Sequence, residues 1–209
     1  MIVTALEAEP RGAGGVRVQV DGGPFATVSL KDVAALGLRV GAALEGAAAA
    51  QLERRAEAYA ARTVALRMLG YRALPEREIV RRLTRKGHDR EIANEVVASL
   101  RADGLVDDAE FARHYTRTRA VRKKFGPARI EADLRRLGVH ERVASDAVRE
   151  TLERERVEPA QLLREAAARK LRELRGLDRT TQRRRLRAFL QRRGFPVGEI
   201  LDILRETLH

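Results

Sequence analysis

The sequence predicts a mainly α protein: three tandem three-helix repeats in an elongated array, preceded by a small β-containing N-terminal segment. Three observations carry this reading. First, a short pattern occurs three times, as Ile79-x3-Leu83-x3-Gly87, Ile130-x3-Leu134-x3-Gly138 and Leu186-x3-Leu190-x3-Gly194. Its two apolar residues lie one turn apart on one helix face, and its Gly falls where a helix can end in a left-handed cap. Second, the glycines are 51 and 56 residues apart, longer than the common two-helix repeats, so a third helix per unit is the natural filler. Third, the first sixty residues follow a different rhythm, with β-type runs and Gly-rich turns.

In chain order, Ile2 to Leu6 and Val16 to Val20 are β-type runs, the second alternating apolar and polar. Asp21-Gly22-Gly23-Pro24 is a turn signal, and Phe25 to Ser29 is the returning strand. Leu30 to Leu36 reads as a short helix closed by Gly37, and the Ala-rich, charged stretch Glu45 to Tyr59 as a connecting helix. The first repeat then opens with a helix from Ala60 to Gly70 carrying Val64, Leu66 and Leu69. The second opens with Asp108 to Lys123, with Phe111 and Tyr115 one turn apart. The third opens with Pro159 to Arg175, carrying Leu162, Leu163, Ala166 and Leu171. After each repeated Gly comes a closing helix, marked by Ile92, Val96 and Leu100, by Val143, Ala147 and Thr151, and by Ile200, Ile203 and Leu208. The expected divisions are 1–45 for the β-containing segment, 46–59 for the connecting helix, and 60–106, 107–157 and 158–209 for the repeats. A unit this small cannot bury its apolar face alone and stacks on its neighbours.

Composition narrows the chemistry. The chain of 209 residues has no Cys, which removes disulfides, thiol catalysis and Cys-ligated metal. Aromatics are 4%, so the core must rest on Leu, Val, Ile and Ala. No apolar run approaches the ~20 residues of a membrane span. Met1 to Glu9 carries acids and no basic cluster, unlike a secretory signal, so a cytoplasmic protein away from membranes is expected. The whole chain holds 42 Lys/Arg and 30 Asp/Glu, while residues 1–60 hold 6 and 7, so the net charge of +12 arises wholly in the repeats. Such charge suits a polyanion or an acidic protein surface. Arg outnumbers Lys 37 to 5, a skew that codon composition can also produce.

Catalytic motifs are sparse. Asp107-Asp108 has the look of an acid pair, but Glu110 gives Asp107 capping-box spacing at a helix start. His88, His114, His140 and His209 share no metal spacing, and His88 and His140 directly follow helix-ending glycines. No Gly-rich loop ends in Lys-Ser or Lys-Thr, so no phosphate loop for ATP is present. The expectation is a binding scaffold with no catalytic residues, no cofactor and no metal.

Binding candidates are therefore basic. Arg85, Arg136 and Arg192 each lie two residues before a repeated Gly. That is about 200° round the helix from the apolar Leu, on the outer face. A cation there also favours the helix dipole, which alone would select Arg. A denser run, Arg117, Arg119, Arg122, Lys123 and Lys124, ends at Phe125-Gly126-Pro127 with no acid between Glu110 and Glu131. A solvated face usually mixes signs, so this run points to binding. Lys86, Arg129 and Arg135 complete the candidate surface. In Arg183-Arg184-Arg185-x-Arg187, Leu186 and Phe189 interleave, which fits an amphipathic helix with a basic outer face, for which binding is one use.

From about Ala60 onward these residues also resemble a known family. The likeness rests on Ala65-Leu66-x-x-Leu69-x-x-Arg72, Glu78-Ile79-x-x-x-Leu83-x-x-Lys86-Gly87 and Gly104-Leu105-Val106-Asp107-Asp108-x-x-Phe111-Ala112. Phe125-Gly126, Leu134-x-x-x-Gly138 and Arg192-Arg193-Gly194-Phe195 continue it. In this order and spacing, over roughly 150 residues, the set is similar to the RecX family of recombinase regulators. Leu36-Gly37-Leu38-x-x-Gly41 resembles an N-terminal extension that some members carry. Leu74-Pro75-Glu76 departs from the family at a helix cap where Ser often stands. The resemblance implies a protein that binds the RecA-type recombinase filament, lies in its groove and restrains filament extension, ATP turnover and strand exchange, within homologous recombination, DNA repair and the SOS response; a monomer is expected. Single- or double-stranded DNA is a second candidate partner. The competing classes are a DNA-binding helical-repeat protein acting without a recombinase and, far behind, an enzyme on nucleic acid. Steep salt dependence on naked DNA marks the DNA binder, whereas a filament regulator acts only with the recombinase present.

Overall fold

The computed structural model describes residues 1–9 and 14–208; His209 lies outside them. Three antiparallel strands come first, β1 (Val3–Ala8), β2 (Gly15–Val20) and β3 (Gly23–Ser29), in the order β1-β2-β3. Val16, Val18 and Val20 are buried, as the alternation of the second run requires when one face meets the core. The β2–β3 turn uses left-handed Asp21 and Gly22, with φ of 49° and 82°, which matches the twist of the flanking strands. The Asp21 carboxylate also accepts the Ile2 amide at 2.8 Å. Beyond the sheet, α1 spans Leu30–Ala35 and is capped by Ser29, whose Oγ accepts the Asp32 amide.

Glu45–Tyr59 and Ala60–Gly70 are not two helices, because α2 runs unbroken from Ala47 to Tyr71. No proline or mid-helix glycine interrupts this stretch, whose Gly70 stands at the last turn, so nothing stops propagation once the helix has started. Its buried side in the first repeat is Ala61 and Ala65, and Leu66 is 40% exposed. The small alanines, rather than the leucine, face the neighbouring helices.

The remaining helices are α3 (Glu76–Arg85), α4 (Arg90–Ala102), α5 (Asp108–Arg117), α6 (Pro127–Leu137), α7 (Glu141–Arg154), α8 (Pro159–Glu173), α9 (Arg179–Arg192) and α10 (Val197–Thr207). The fold is mainly helical, with three three-helix repeats behind a small sheet. All six pattern residues, Ile79, Leu83, Ile130, Leu134, Leu186 and Leu190, have zero exposure. After each, the Gly is left-handed, with φ of 94°, 103° and 79° at Gly87, Gly138 and Gly194. The next amide then reaches back five residues: His88 to the Leu83 carbonyl, Val139 to Leu134, Phe195 to Leu190. That closure satisfies carbonyls the helix end would leave orphaned. Helix starts are equally local. Asp89 accepts the Glu91 and Ile92 amides, Asp107 those of Ala109 and Glu110, and Asp178 that of Thr181, while Pro127 and Pro159 occupy first-turn positions where no amide is needed.

The chain divides into two compact units, Met1–Leu74 with Glu78–Val106, and Pro75–Arg77 with Asp107–His209. The first holds a sheet core around Val3, Val18, Val28 and Leu52, and an aliphatic repeat core around Ile79, Leu83, Ile92 and Leu100. The second holds the core of the middle and last repeats, around Ile130, Leu134, Leu186, Leu190 and Phe195. Among the described residues, no helix is long and apolar enough to cross a membrane.

Candidate functional site

The expected helix Asp108 to Lys123 is regular only to Arg117. Thr118–Arg122 forms one wider π-helical turn, and Lys124 follows with φ of 55°. The Phe125 amide donates to the Arg119 carbonyl at 3.0 Å, and the Gly126 amide to the Arg193 carbonyl at 2.8 Å. This turn closes against the α9–α10 junction so tightly that a Cβ on Gly126 would stand 2.6 Å from the Gly194 carbonyl oxygen. The wider turn re-aims the basic run, as such bulges commonly do at functional places.

The re-aimed segment is held by a ladder of rings and cations. Phe111 stacks on Tyr115 with centroids 6.0 Å apart. Arg119 lies over Tyr115 at 4.8 Å and over Phe125 at 5.4 Å. Arg193 sits 4.6 Å from the Phe125 ring centre and 4.8 Å from that of Phe189, and Lys170 approaches Phe189 at 5.4 Å. Ring faces attract cations through their quadrupole, most strongly where water is excluded. Burial, and then the like charge of Arg169, lower the Arg193 pKa below the ordinary arginine value; the guanidinium stays charged at neutral pH. Burial raises the Tyr115 hydroxyl above its ordinary value, with Arg119 opposing and nearby Asp133 adding to the rise.

The structure sorts the predicted cations into two groups. Arg117 pairs with Glu155 at 3.0 Å, Lys124 with Glu165 at 2.5 Å and Arg135 with Glu141 at 2.8 Å. Hydrogen bonds from Lys124, then Gln161, hold the Glu165 carboxyl below its ordinary pKa. Arg129 and Arg136 converge on Asp133 at 3.1 and 3.0 Å, and that carboxylate is buried. Arg119 is occupied by the two rings. Arg85, Lys86, Arg122, Lys123 and Arg192 are exposed and have no ion-pair or hydrogen-bond partner among the described residues. An isolated cation at the surface keeps its charge available for a partner, whereas one in an internal pair must break that pair first.

Residues the sequence reading passed over complete this picture. Arg193, Phe189 and Lys170 are 45 or more residues from Phe125 or Arg119 in the chain, so no local spacing announces their meeting. Five Phe residues in 209 are the one available signal: rings this scarce are seldom idle. Asp107, considered as an acid, is the cap of α5. Asp108 instead accepts the Glu76 amide at 2.8 Å, and burial raises its pKa. Among the described residues, no three His, Cys, Asp or Glu side chains gather as a metal site would need. The braced turn carries Arg122 and Lys123 as exposed cations without an internal partner among the described residues.

Comparisons with known proteins bear on the family of the chain. Family models for the first, second and third three-helix domains of RecX match residues 61–100, 107–148 and 157–204. The regulatory protein RecX of Amycolatopsis mediterranei is 34% identical over 148 residues, covering 71% of this chain and 83% of its own. That of Halorhodospira halophila is 37% identical over 152 residues, covering 71% and 88%. A crystal structure of a regulatory protein RecX superposes with a TM-score of 0.77 over 98% of both chains at 23% identity, which shows a shared fold. With three domain models matched in order and curated relatives covered over most of their length, this chain belongs to the RecX family of regulatory proteins.

Proposed function

We propose that this protein binds a RecA-type recombinase filament in its groove and restrains filament extension, ATP turnover and strand exchange, working as a cytoplasmic monomer without catalysis or cofactor of its own. Membership of a regulatory family supports the regulatory role. The observation that carries the contact is the pair Arg122 and Lys123, exposed and unpartnered on a turn braced by Arg119, Phe125 and Arg193. A braced turn loses little freedom on docking, so more of the attraction is kept as affinity. Arg85 and Lys86 in the first unit and Arg192 on α9 are exposed and unpartnered cations as well. Arg117, Lys124, Arg129, Arg135 and Arg136 belong to the same surface in a supporting role, since each is already engaged by an acid. Opposite charge chiefly speeds and orients docking, so inhibition weakens as salt rises.

The test is recombinase ATP turnover on single-stranded DNA, with the parent chain and with Arg122→Glu/Lys123→Glu. Lys124 is left alone because its Glu165 contact is internal. The variant is expected to keep its helicity and melting temperature and to need at least tenfold more protein for equal inhibition. A folded variant that inhibits like the parent removes this turn from the interface.

A further inference from the structure

We propose that the outward face of α9 is a contact for the phosphodiester backbone of nucleic acid, separate from the Arg122–Lys123 turn. α9 carries Arg179, Arg183, Arg184, Arg185, Arg187 and Arg192 and no acid within its 14 residues. All six are exposed, and none has an ion-pair or hydrogen-bond partner among the described residues. On α7 and α10, by contrast, Arg149 faces Asp146, Glu150 and Glu153, and Arg205 faces Asp202. Among the described residues no acid pairs with the α9 arginines, and an external polyanion would offset their mutual repulsion.

The placement of the charges is specific. Leu186 and Leu190 are fully buried and fix the inward face. At about 100° per residue, Arg184, Arg185 and Arg192 then fall within roughly 100° of one another on the opposite side. Arg185 and Arg192 are about 10 Å apart along the axis, close to three nucleotide steps of about 3.4 Å on one strand. The helix is held at both ends, by the Asp178 cap and by Phe189 between Lys170 and Arg193.

The chemistry of this face favours phosphate over an acidic protein. Apart from arginine, the exposed residues of α9 are Thr180 and Gln191. A protein interface centres on apolar or aromatic anchors, and the outward face of α9 has none. Phosphate oxygens need only cations and hydrogen-bond donors, which Arg, Thr and Gln supply.

The experiment uses the full chain without recombinase, with a labelled single-stranded DNA and a duplex of equal length, read by fluorescence anisotropy over a salt series. Each phosphate contact contributes about 0.7 to the slope of log affinity against log salt on a single strand and about 0.9 on B-DNA. Arg184→Gln/Arg185→Gln/Arg192→Gln should therefore lower that slope by about 2 to 3 and weaken binding at least tenfold. A charge-matched control, Arg54→Gln/Arg62→Gln/Arg149→Gln, removes arginines that already face Glu95, Asp103 and Asp146; it should bind within about twofold of the parent if the charges act locally. An α9 variant with parental affinity and slope overturns the proposal, as does equal weakening by the control, or a parent chain that binds neither DNA at low salt. An α9 variant that keeps DNA binding but loses recombinase inhibition makes the strip a protein contact and also overturns it. Arg122→Glu/Lys123→Glu reports on the filament contact alone, so the two readings fail separately.

Discussion

The first repeat and the pair formed by the second and third use the same helix ending for different ends. In the first, the core around Ile79, Leu83, Ile92 and Leu100 is aliphatic, and no ring packs on it. A Cβ added to its Gly87 would meet nothing within 4 Å. In the other unit, Phe111, Tyr115, Phe125, Phe189 and Phe195 enter or line the core. There the equivalent glycines are crowded: a Cβ on Gly138 would lie 2.6 Å from the Arg77 Cβ, and one on Gly194 would lie 2.6 Å from the Arg129 amide nitrogen. Gly87 is needed for its left-handed backbone alone, whereas Gly138 and Gly194 are also needed for close approach. A local motif is thus repeated, and the packing built on it is not.

The two positions just before the repeated apolar pair make the same point. They are Glu78 and Arg82 in α3, Arg129 and Asp133 in α6, and Arg185 and Phe189 in α9. In α3 and α6 the residues form an ion pair with the signs exchanged, and in both the acid is 5% exposed. In α9 the ring replaces the acid and takes Lys170 and Arg193 as its cations. In the last repeat the ring takes the place of the buried acid, and Arg185 is left without a partner among the described residues.

One added carbon at each glycine separates the two helix endings. Gly87→Ala should cost only the left-handed strain, about 1–2 kcal/mol. Gly194→Ala carries that strain and the overpacking against the Arg129 backbone, about 1–3 kcal/mol more. Urea unfolding followed by circular dichroism measures both. Equal costs would mean that the crowding at Gly194 relaxes freely and that the two endings are equivalent after all.

A smaller effect tests the ladder. Arg193→Gln removes two cation–ring contacts, worth about 0.5–1 kcal/mol each where exposed and about 2 or more where desolvated. In the first unit, Arg54→Gln removes the exposed pair with Glu95, and exposed pairs contribute about 0–1 kcal/mol. Arg193→Gln is expected to lower the melting temperature clearly and Arg54→Gln barely. The ladder model also requires that Arg193→Gln weaken recombinase inhibition with Arg122 and Lys123 intact, because it unbraces their turn. A variant that melts lower yet inhibits fully would confine the ladder to stability.

Most of the fold was legible because its determinants are local. Buried Ile and Leu recur one turn apart, left-handed turns select Gly, and Asp caps stand where amides need acceptors. The course of α2 was not, since an Ala-rich stretch without a breaker leaves no mark at Tyr59 to separate a connecting helix from a repeat helix. Within the candidate surface, the Asp133 pairs with Arg129 and Arg136 lie at helical spacing and were readable. The partners of Arg117 and Lys124, at Glu155 and Glu165, arise from helices meeting in space. So does the placing of Arg193 between two rings. Sequence patterns report which residues face inward; they do not report which outward charges find each other.

The smallest expected effect is electrostatic, and its sign differs between the units. In the first, the Ile92 and Glu91 amides hold the Asp89 carboxyl below its ordinary pKa. A folded pKa lowered in this way contributes stability that is present above the unfolded value and lost as pH falls through the folded one. In the second, burial raises the Asp108 carboxyl although the Glu76 amide opposes it. That contribution is present below the unfolded value and lost as pH rises through the folded one. Around the ordinary aspartate value of about 3.9, acidification should therefore first favour the fold at Asp108 and then, at lower pH, weaken it at Asp89. Carboxyl-carbon NMR titration should place the Asp89 midpoint below, and the Asp108 midpoint above, that of an unperturbed aspartate. Asp108→Asn keeps an oxygen for the Glu76 amide and sheds the buried charge, so at neutral pH it should hold or slightly raise the melting temperature, whereas Asp89→Asn should slightly lower it. Midpoints on the same side of the ordinary value, or a clear loss of stability in Asp108→Asn, would show that these two helix starts do not differ in the way their burial requires.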